Sequence, residues 1–266
     1  MPEARRPLLV IDGDNFAHRS YHALPKSIRR TGNHGGGAIV GFANFLLRLY
    51  ESERPRAVLV GWDTLGAQTY RQTLFPAYQG GRQFDSELVE QLEVLPEFVA
   101  ACGFASAKEP GYEADDFLAA AAAAETRRNG RTLVATGDRD AFQLASATVT
   151  ILHPVRGGEM ARIGPAEVRE RYGVEPVQVP DFIALRGDPS DKLPGARASV
   201  RKARLHCSSD TKRLRMRSPT VASRPKPMTF GCTAASPPWI PQRPCRRSMT
   251  RHRPGAGRPA WRENGN

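Results

Sequence analysis

Leu8-Leu9-Val10-Ile11-Asp12-Gly13-Asp14 is a run of four apolar residues closed by two acids around a glycine. A short, unbroken apolar run of this kind reads as a strand buried on both faces. The pattern recurs along the chain. Residues 57–62 form a second apolar run that ends at Asp63, and residues 131–136 form a third, closed by Gly137-Asp138. Residues 148–152 read as a fourth strand. Helical periodicity fills the gaps. Residues 38–50 carry apolar side chains at Ile39, Phe42, Ala43, Leu46, Leu47 and Tyr50. Asp85 supplies an N-cap for a helix with Leu88, Leu92, Leu95, Val99 and Cys102. Residues 113–128 read as a helix with six consecutive alanines at 119–124, and residues 141–144, 165–172 and 177–185 read as shorter ones. Strands alternating with helices predict an α/β, Rossmann-like, mostly parallel sheet flanked by helices. Ligands of such sheets bind at the carboxyl ends of the strands. Three of those ends carry Asp12, Asp63 and Asp138.

Acids also cluster elsewhere: Glu113, Asp115 and Asp116; Asp138 with Asp140; Asp188 with Asp191. Carboxylate oxygens are hard donors that suit Mg²⁺ or Mn²⁺. Crowding several of them is costly unless cations neutralise them, so convergence on one sheet edge implies bound metal. Two ions can activate a water and stabilise the leaving oxygen in an in-line attack on phosphate. Glu113 and Asp116 are three apart on one helix and can point the same way. Asp14 is the weakest candidate, because an Asx turn after a strand accounts for it. Taken singly, each acid is equally well a cap, a turn residue or part of a solvated face. Residues 64–84 hold Tyr70, Arg71, Tyr78, Gly80-Gly81 and Arg82. They read either as a basic loop or helix over the active face, or as an ordinary solvated connection. A strand ending in Asp-Gly-Asp and a Gly-Asp-x-x-Asp string also occur in dehalogenase-like phosphohydrolases, where the first Asp is a nucleophile. That chemistry has no use for Glu113-Ala114-Asp115-Asp116 and ranks second.

In order along the chain, Val10-Ile11-Asp12-Gly13, Gly61-Trp62-Asp63, Tyr70-Arg71, Tyr112-Glu113-Ala114-Asp115-Asp116, the segment from Thr136 to Leu144 (TGDRDAFQL) and the segment from Leu185 to Gly195 (LRGDPSDKLPG) resemble the 5′-nuclease family. This family comprises the 5′→3′ exonuclease domain of bacterial DNA polymerase I and related flap endonucleases. The resemblance covers about 190 residues and implies a PIN-like fold and hydrolysis of DNA at a 5′ end or 5′ flap with two Mg²⁺ or Mn²⁺ ions. It implies roles as well. Asp12, Asp63, Glu113, Asp115 and Asp116 would hold or orient the first metal. Asp138, Asp140, Asp188 and Asp191 would complete the second. Arg71 and Arg82 would grip the scissile phosphate. Tyr78-Gln79-Gly80-Gly81-Arg82 departs from the family's frequent Tyr-Lys-x-x-Arg, and Gln79 puts a neutral amide where a cation would face the developing charge. No polymerase region follows, so the resemblance implies a stand-alone exonuclease, acting as a monomer with no small-molecule cofactor.

Charge divides the chain. The formal net charge is +12, yet residues 1–198 hold 23 Lys+Arg against 25 Asp+Glu, while residues 199–266 hold 16 Lys+Arg against Asp210 and Glu263. The second segment has six Leu, Ile, Val and Phe residues and nine prolines, too little apolar surface to bury a core, and reads as a disordered basic tail. The family continues after Pro194-Gly195 with a Gly-rich hairpin that holds duplex phosphates, but residues 196–204 contain no Gly-x-Gly. A frameshift between Gly195 and about Lys202 accounts for the change; a basic arm that binds phosphates is the other reading. Activity would then be impaired, or lost to leave a DNA-binding protein. Cys102, Cys207, Cys232 and Cys245 show no zinc or disulfide spacing. With no signal peptide and no apolar stretch of membrane-spanning length, the chain is expected in the cytoplasm, away from membranes.

Overall fold

The apolar runs lie side by side in a computed structural model that describes residues 6–78 and 83–195. Strand β1 (Leu8–Asp12) is buried along its whole length and forms the centre of the sheet. It pairs in parallel with β2 (Ala57–Gly61), from Leu8 opposite Ala57 to Asp12 opposite Gly61. On its other side it pairs in parallel with β4 (Thr132–Ala135), from Leu8 opposite Thr132 to Ile11 opposite Ala135. The sheet extends outward through β3 (Ala105–Ala107) beside β2 and through β5 (Val149–Pro154) beside β4. Strand β6 (Met160–Ile163) closes the far edge antiparallel to β5, giving the order β3-β2-β1-β4-β5-β6. The Rossmann-like expectation therefore holds. The order reverses between β1 and β4, so a crevice must open at their carboxyl ends.

Alternation along β1 assigns the two helical layers. Leu9 and Ile11 face one apolar cluster with Val58, Val60 and Leu133, packed by α1 (Gly13–Ala23), α2 (Gly37–Glu53) and α4 (Ser86–Ala101). Leu8 and Val10 face the other, packed by α5 (Ala114–Arg127), α6 (Pro165–Tyr172) and α7 (Val179–Arg186). Ala121 and Ala122 are buried on the sheet, so the alanine run brings α5 close to the strands.

Several elements depart from expectation. β3 and β6 were not foreseen: three and four half-buried residues carry no apolar run. Helix α1 begins directly after Asp12, where the acids suggested only a turn. Asp12 is its N-cap, accepting the Asn15 N–H at 3.0 Å. The segment around residues 141–144 is a 3₁₀ helix, Asp140–Leu144. Within residues 64–84 lies a short helix, α3 (Tyr70–Leu74), closed by a Thr69–Gln72 capping box. The basic tail expected over residues 199–266 lies outside the described residues. Among the described residues, no helix is long and apolar enough to cross a membrane.

Gly13, just past β1, lies against Trp62, just past β2. A Cβ there would collide with the indole ring of buried Trp62. Gly13→Ala should cost about 1–3 kcal/mol of stability through overpacking, measured by urea unfolding; an unchanged midpoint would show that the Trp62 ring moves freely.

Candidate functional site

The crevice predicted by the strand order is a cleft of about 920 Å³ lined by Asp12, Asp14, Asp63, Glu113, Asp115, Asp116, Asp138, Asp140, Asp188 and Asp191. All nine acids expected from the sequence thus meet in one place, joined by Asp14.

Each is oriented by its own local structure. Asp12 ends β1 and is only 6% exposed; its Oδ2 accepts the Thr136 hydroxyl at 2.8 Å. The same Thr136 Oγ1 accepts the Asp138 N–H at 3.0 Å, and Asp138 Oδ1 accepts the Asp140 N–H at 2.8 Å. Asn15 Oδ1 accepts the Gly137 N–H at 3.1 Å, locking the end of β4 to α1. On the opposite wall, Asp14 Oδ2 accepts the Asp63 N–H at 2.7 Å and Asp63 Oδ1 accepts the Ala114 N–H at 2.7 Å. Asp115 and Asp116 stand in the first turn of α5, where the helix dipole favours negative charge. Asp140, Asp188 and Asp191 each offer a carboxylate oxygen, all within 4.8 Å of one another.

Arg71 bridges two of these acids. Its guanidinium donates to both oxygens of Asp116, at 2.9 and 3.0 Å, and to Glu113 Oε2 at 2.9 Å. Tyr70 and Tyr78 hydroxyls donate to Asp116 and Glu113 at 3.2 Å each. The segment read as a basic cover is thus tied by α3 to the acidic wall. Arg82 and Gln79 lie outside the described residues.

Burial, and crowding after it, show in the acidities. Burial, opposed by the Asn15 and Thr136 hydrogen bonds and aided by the charges of Asp63 and Asp138, pushes Asp12 up to about 7. Burial, with the charges of Asp138, Asp188 and Asp191, pushes Asp140 up to about 7. Burial also holds Asp115 well above the usual range, reinforced by Asp12 and Asp138, and does the same to Asp14 beside Asp63. It lifts Glu113 too, against the pull of Arg71. Asp188 goes the other way, lowered by the hydroxyl of Ser190 at 2.5 Å.

Sequence reasoning discounted Asp14 and passed over Asn15 and Thr136. It also missed His18, Arg19 and His22, which line the cleft from α1; their spacing carries a signal only once residues 13–23 are known to be helical.

Residues 7–173 match the model of the 5′-3′ exonuclease, N-terminal resolvase-like domain. The chain belongs to that family. Membership leaves the dehalogenase-like alternative without support. DNA polymerase I of Mycobacterium tuberculosis H37Rv is 40% identical over 195 residues, covering 72% of this chain and 22% of the polymerase. The thermostable DNA polymerase I of Thermus thermophilus is 37% identical over 204 residues, covering 76% of this chain and 24% of the polymerase. The chain therefore spans about a quarter or less of the length of these relatives. Among solved structures, the T5 D15 protein co-crystallised with metal ions has a similar fold, with a TM-score of 0.60 at 20% identity over 73% of this chain and 71% of that one. The bacteriophage T5 D15 flap endonuclease, solved as a pseudo-enzyme-product complex with DNA and metal ions, gives 0.57 at 22% identity over the same shares.

A pH dependence follows for the exonuclease-family domain kept in EDTA. Asp12 and Asp140 hold a proton in the folded state up to about pH 7, whereas unfolded carboxyls lose theirs near pH 4. The folded state binds more protons across that window, so stability should fall as pH rises from about 4 to 7. Thermal melts across the range check this, and Asp12→Asn should flatten the slope.

Proposed function

We propose that this chain is a divalent-metal-dependent 5′→3′ exodeoxyribonuclease that hydrolyses DNA phosphodiester bonds at a 5′ end or 5′ flap. The observation that carries the reading is the convergence of nine carboxylates, from five separate segments, on one cleft at the switch point of the sheet. An all-oxygen donor set of this charge fits Mg²⁺ or Mn²⁺. Asp12, Asp63, Glu113, Asp115 and Asp116 would hold or orient one ion, and Asp138, Asp140, Asp188 and Asp191 a second. When bound, such ions lower the pKa of a water and neutralise charge on the phosphate.

The chain's own groups supply the rest. Thr136 and Asn15 fix the carboxylate of Asp12 and the β4 turn, so the acids meet a phosphate without rearranging. Arg71 presents a planar fork suited to phosphate oxygens, held at the cleft wall by Glu113 and Asp116. Those two carboxylates outweigh the cost of its burial and push its pKa up, so it stays charged at any working pH. Arg82 is assigned the same phosphate-gripping role. We place the catalytic unit at residues 1–198 and read the basic residues 199–266 as a frameshifted stretch standing where the family carries its duplex-binding hairpin. Cleavage is expected to be impaired accordingly. The alternative reading frame after codon 195 should encode that hairpin.

A 5′-labelled flap substrate tests the reading. Cleavage should require Mg²⁺ or Mn²⁺ and stop in EDTA; equal cleavage with and without metal would overturn it. Asp138→Asn and Asp116→Asn should each lower the rate by at least about 100-fold while DNA binding persists, because loss of a carboxylate removes metal affinity and lessens repulsion of phosphate. Arg71→Ala should cost about 10²–10³ in rate, as for a lost transition-state donor. Binding without cleavage by the unaltered chain would favour a protein that has lost its catalysis.

A further inference from the structure

Asp14 stands outside the nine acids assigned above, yet it is as buried as Asp12, at 6% exposure. It sits in the first turn of α1, and its Oδ2 accepts the backbone N–H of Asp63 at 2.7 Å. Asp63 in turn uses Oδ1 to accept the N–H of Ala114, the first residue of α5, at 2.7 Å. Two short bonds to carboxylate oxygens therefore run from α1, through the residue that closes β2, to the helix that carries Asp115 and Asp116. The joint they cross is tightly built. Gly13 lies against Trp62, and a Cβ on Gly61 would come within 3.0 Å of the Ala114 carbonyl oxygen.

We infer that Asp14 is a positioning residue for the metal site. By holding the Asp63 backbone, it makes Asp63 spend one oxygen on α5 and keep the other for the cleft, and it fixes the α5 end that bears Asp115 and Asp116. This rests on the metal-dependent reading above. It differs from a ligand role in one respect: what Asp14 must supply is an acceptor oxygen, and its charge is dispensable. An asparagine keeps that oxygen; a leucine of similar shape does not.

The test uses the full chain and Mn²⁺ alone, followed by calorimetry without DNA, with amide hydrogen exchange at Asp63 as a second readout. Asp14→Asn should bind Mn²⁺ within about threefold of the unaltered chain, and Asp14→Leu should lose about 10–100-fold, the range for outer groups that orient ligands. The Asp63 amide should stay protected in Asp14→Asn and exchange faster in Asp14→Leu. An Asp14→Asn variant that loses more than tenfold in Mn²⁺ affinity while Asp63 stays protected would overturn the inference in favour of direct ligation. So would Asp14→Leu with unchanged affinity. If Asp14→Leu does not fold, Asp14→Asn decides alone. Failure of the unaltered chain to bind Mn²⁺ would instead strike the nuclease reading, and the exchange rates would still show whether Asp14 holds Asp63.

Discussion

Ten carboxylates share one cleft, and like charges at such spacing repel. The fold meets that repulsion with dipoles. Helices α1 and α5 both start at the cleft, so their positive ends face the acids. Asp12 caps the first, and Asp63 accepts from the opening amide of the second. Thr136 serves two acids at once, donating to Asp12 and accepting from the Asp138 amide. Arg71 adds a full positive charge against Glu113 and Asp116. Burial first, and the charge of neighbouring acids second, hold the carboxyls of Asp12, Asp115 and Asp140 above the usual carboxylate range. The apolar layers on both faces of the sheet hold the acids in place against a force that would otherwise spread them.

Much of this was legible because a buried strand ending in an acid is an unusual pattern. Residues 8–11, 57–62 and 131–136 could be read as strands from their apolar runs, and the acids after them named the active edge. What sequence withholds is adjacency. β4 lies beside β1 although some 120 residues separate them, and that pairing brings Asp138 to Asp12. Edge strands β3 and β6 escaped notice because half-buried strands of three or four residues need no apolar run. Helix α1 escaped because Asp12-Gly13-Asp14-Asn15 favours turns as readily as helix starts. The reading of Asp14 as an Asx-turn residue follows from that one. In a turn its side chain would satisfy local backbone; in a helix's first turn it reaches the amide of Asp63, a residue from another strand. The partners of Arg71 were hidden for the same reason, since α3 and α5 are neighbours only in the folded chain.

The six alanines of α5 carry a consequence for how the domain tolerates change. Helix α5 meets the sheet through Leu118 and the small side chains of Ala121 and Ala122. Its first turn, one or two turns away, presents Asp115, Asp116 and the amide that Asp63 accepts. A rigid rod pressed outward at its middle moves at its end. A bulkier residue at Ala121 or Ala122 would therefore act as a wedge whose effect is felt at the acids, with no change to any residue that lines the cleft. Substitutions there join the stability of the domain to the geometry of its chemistry, so natural drift at these two positions should be narrow even though neither side chain touches the site.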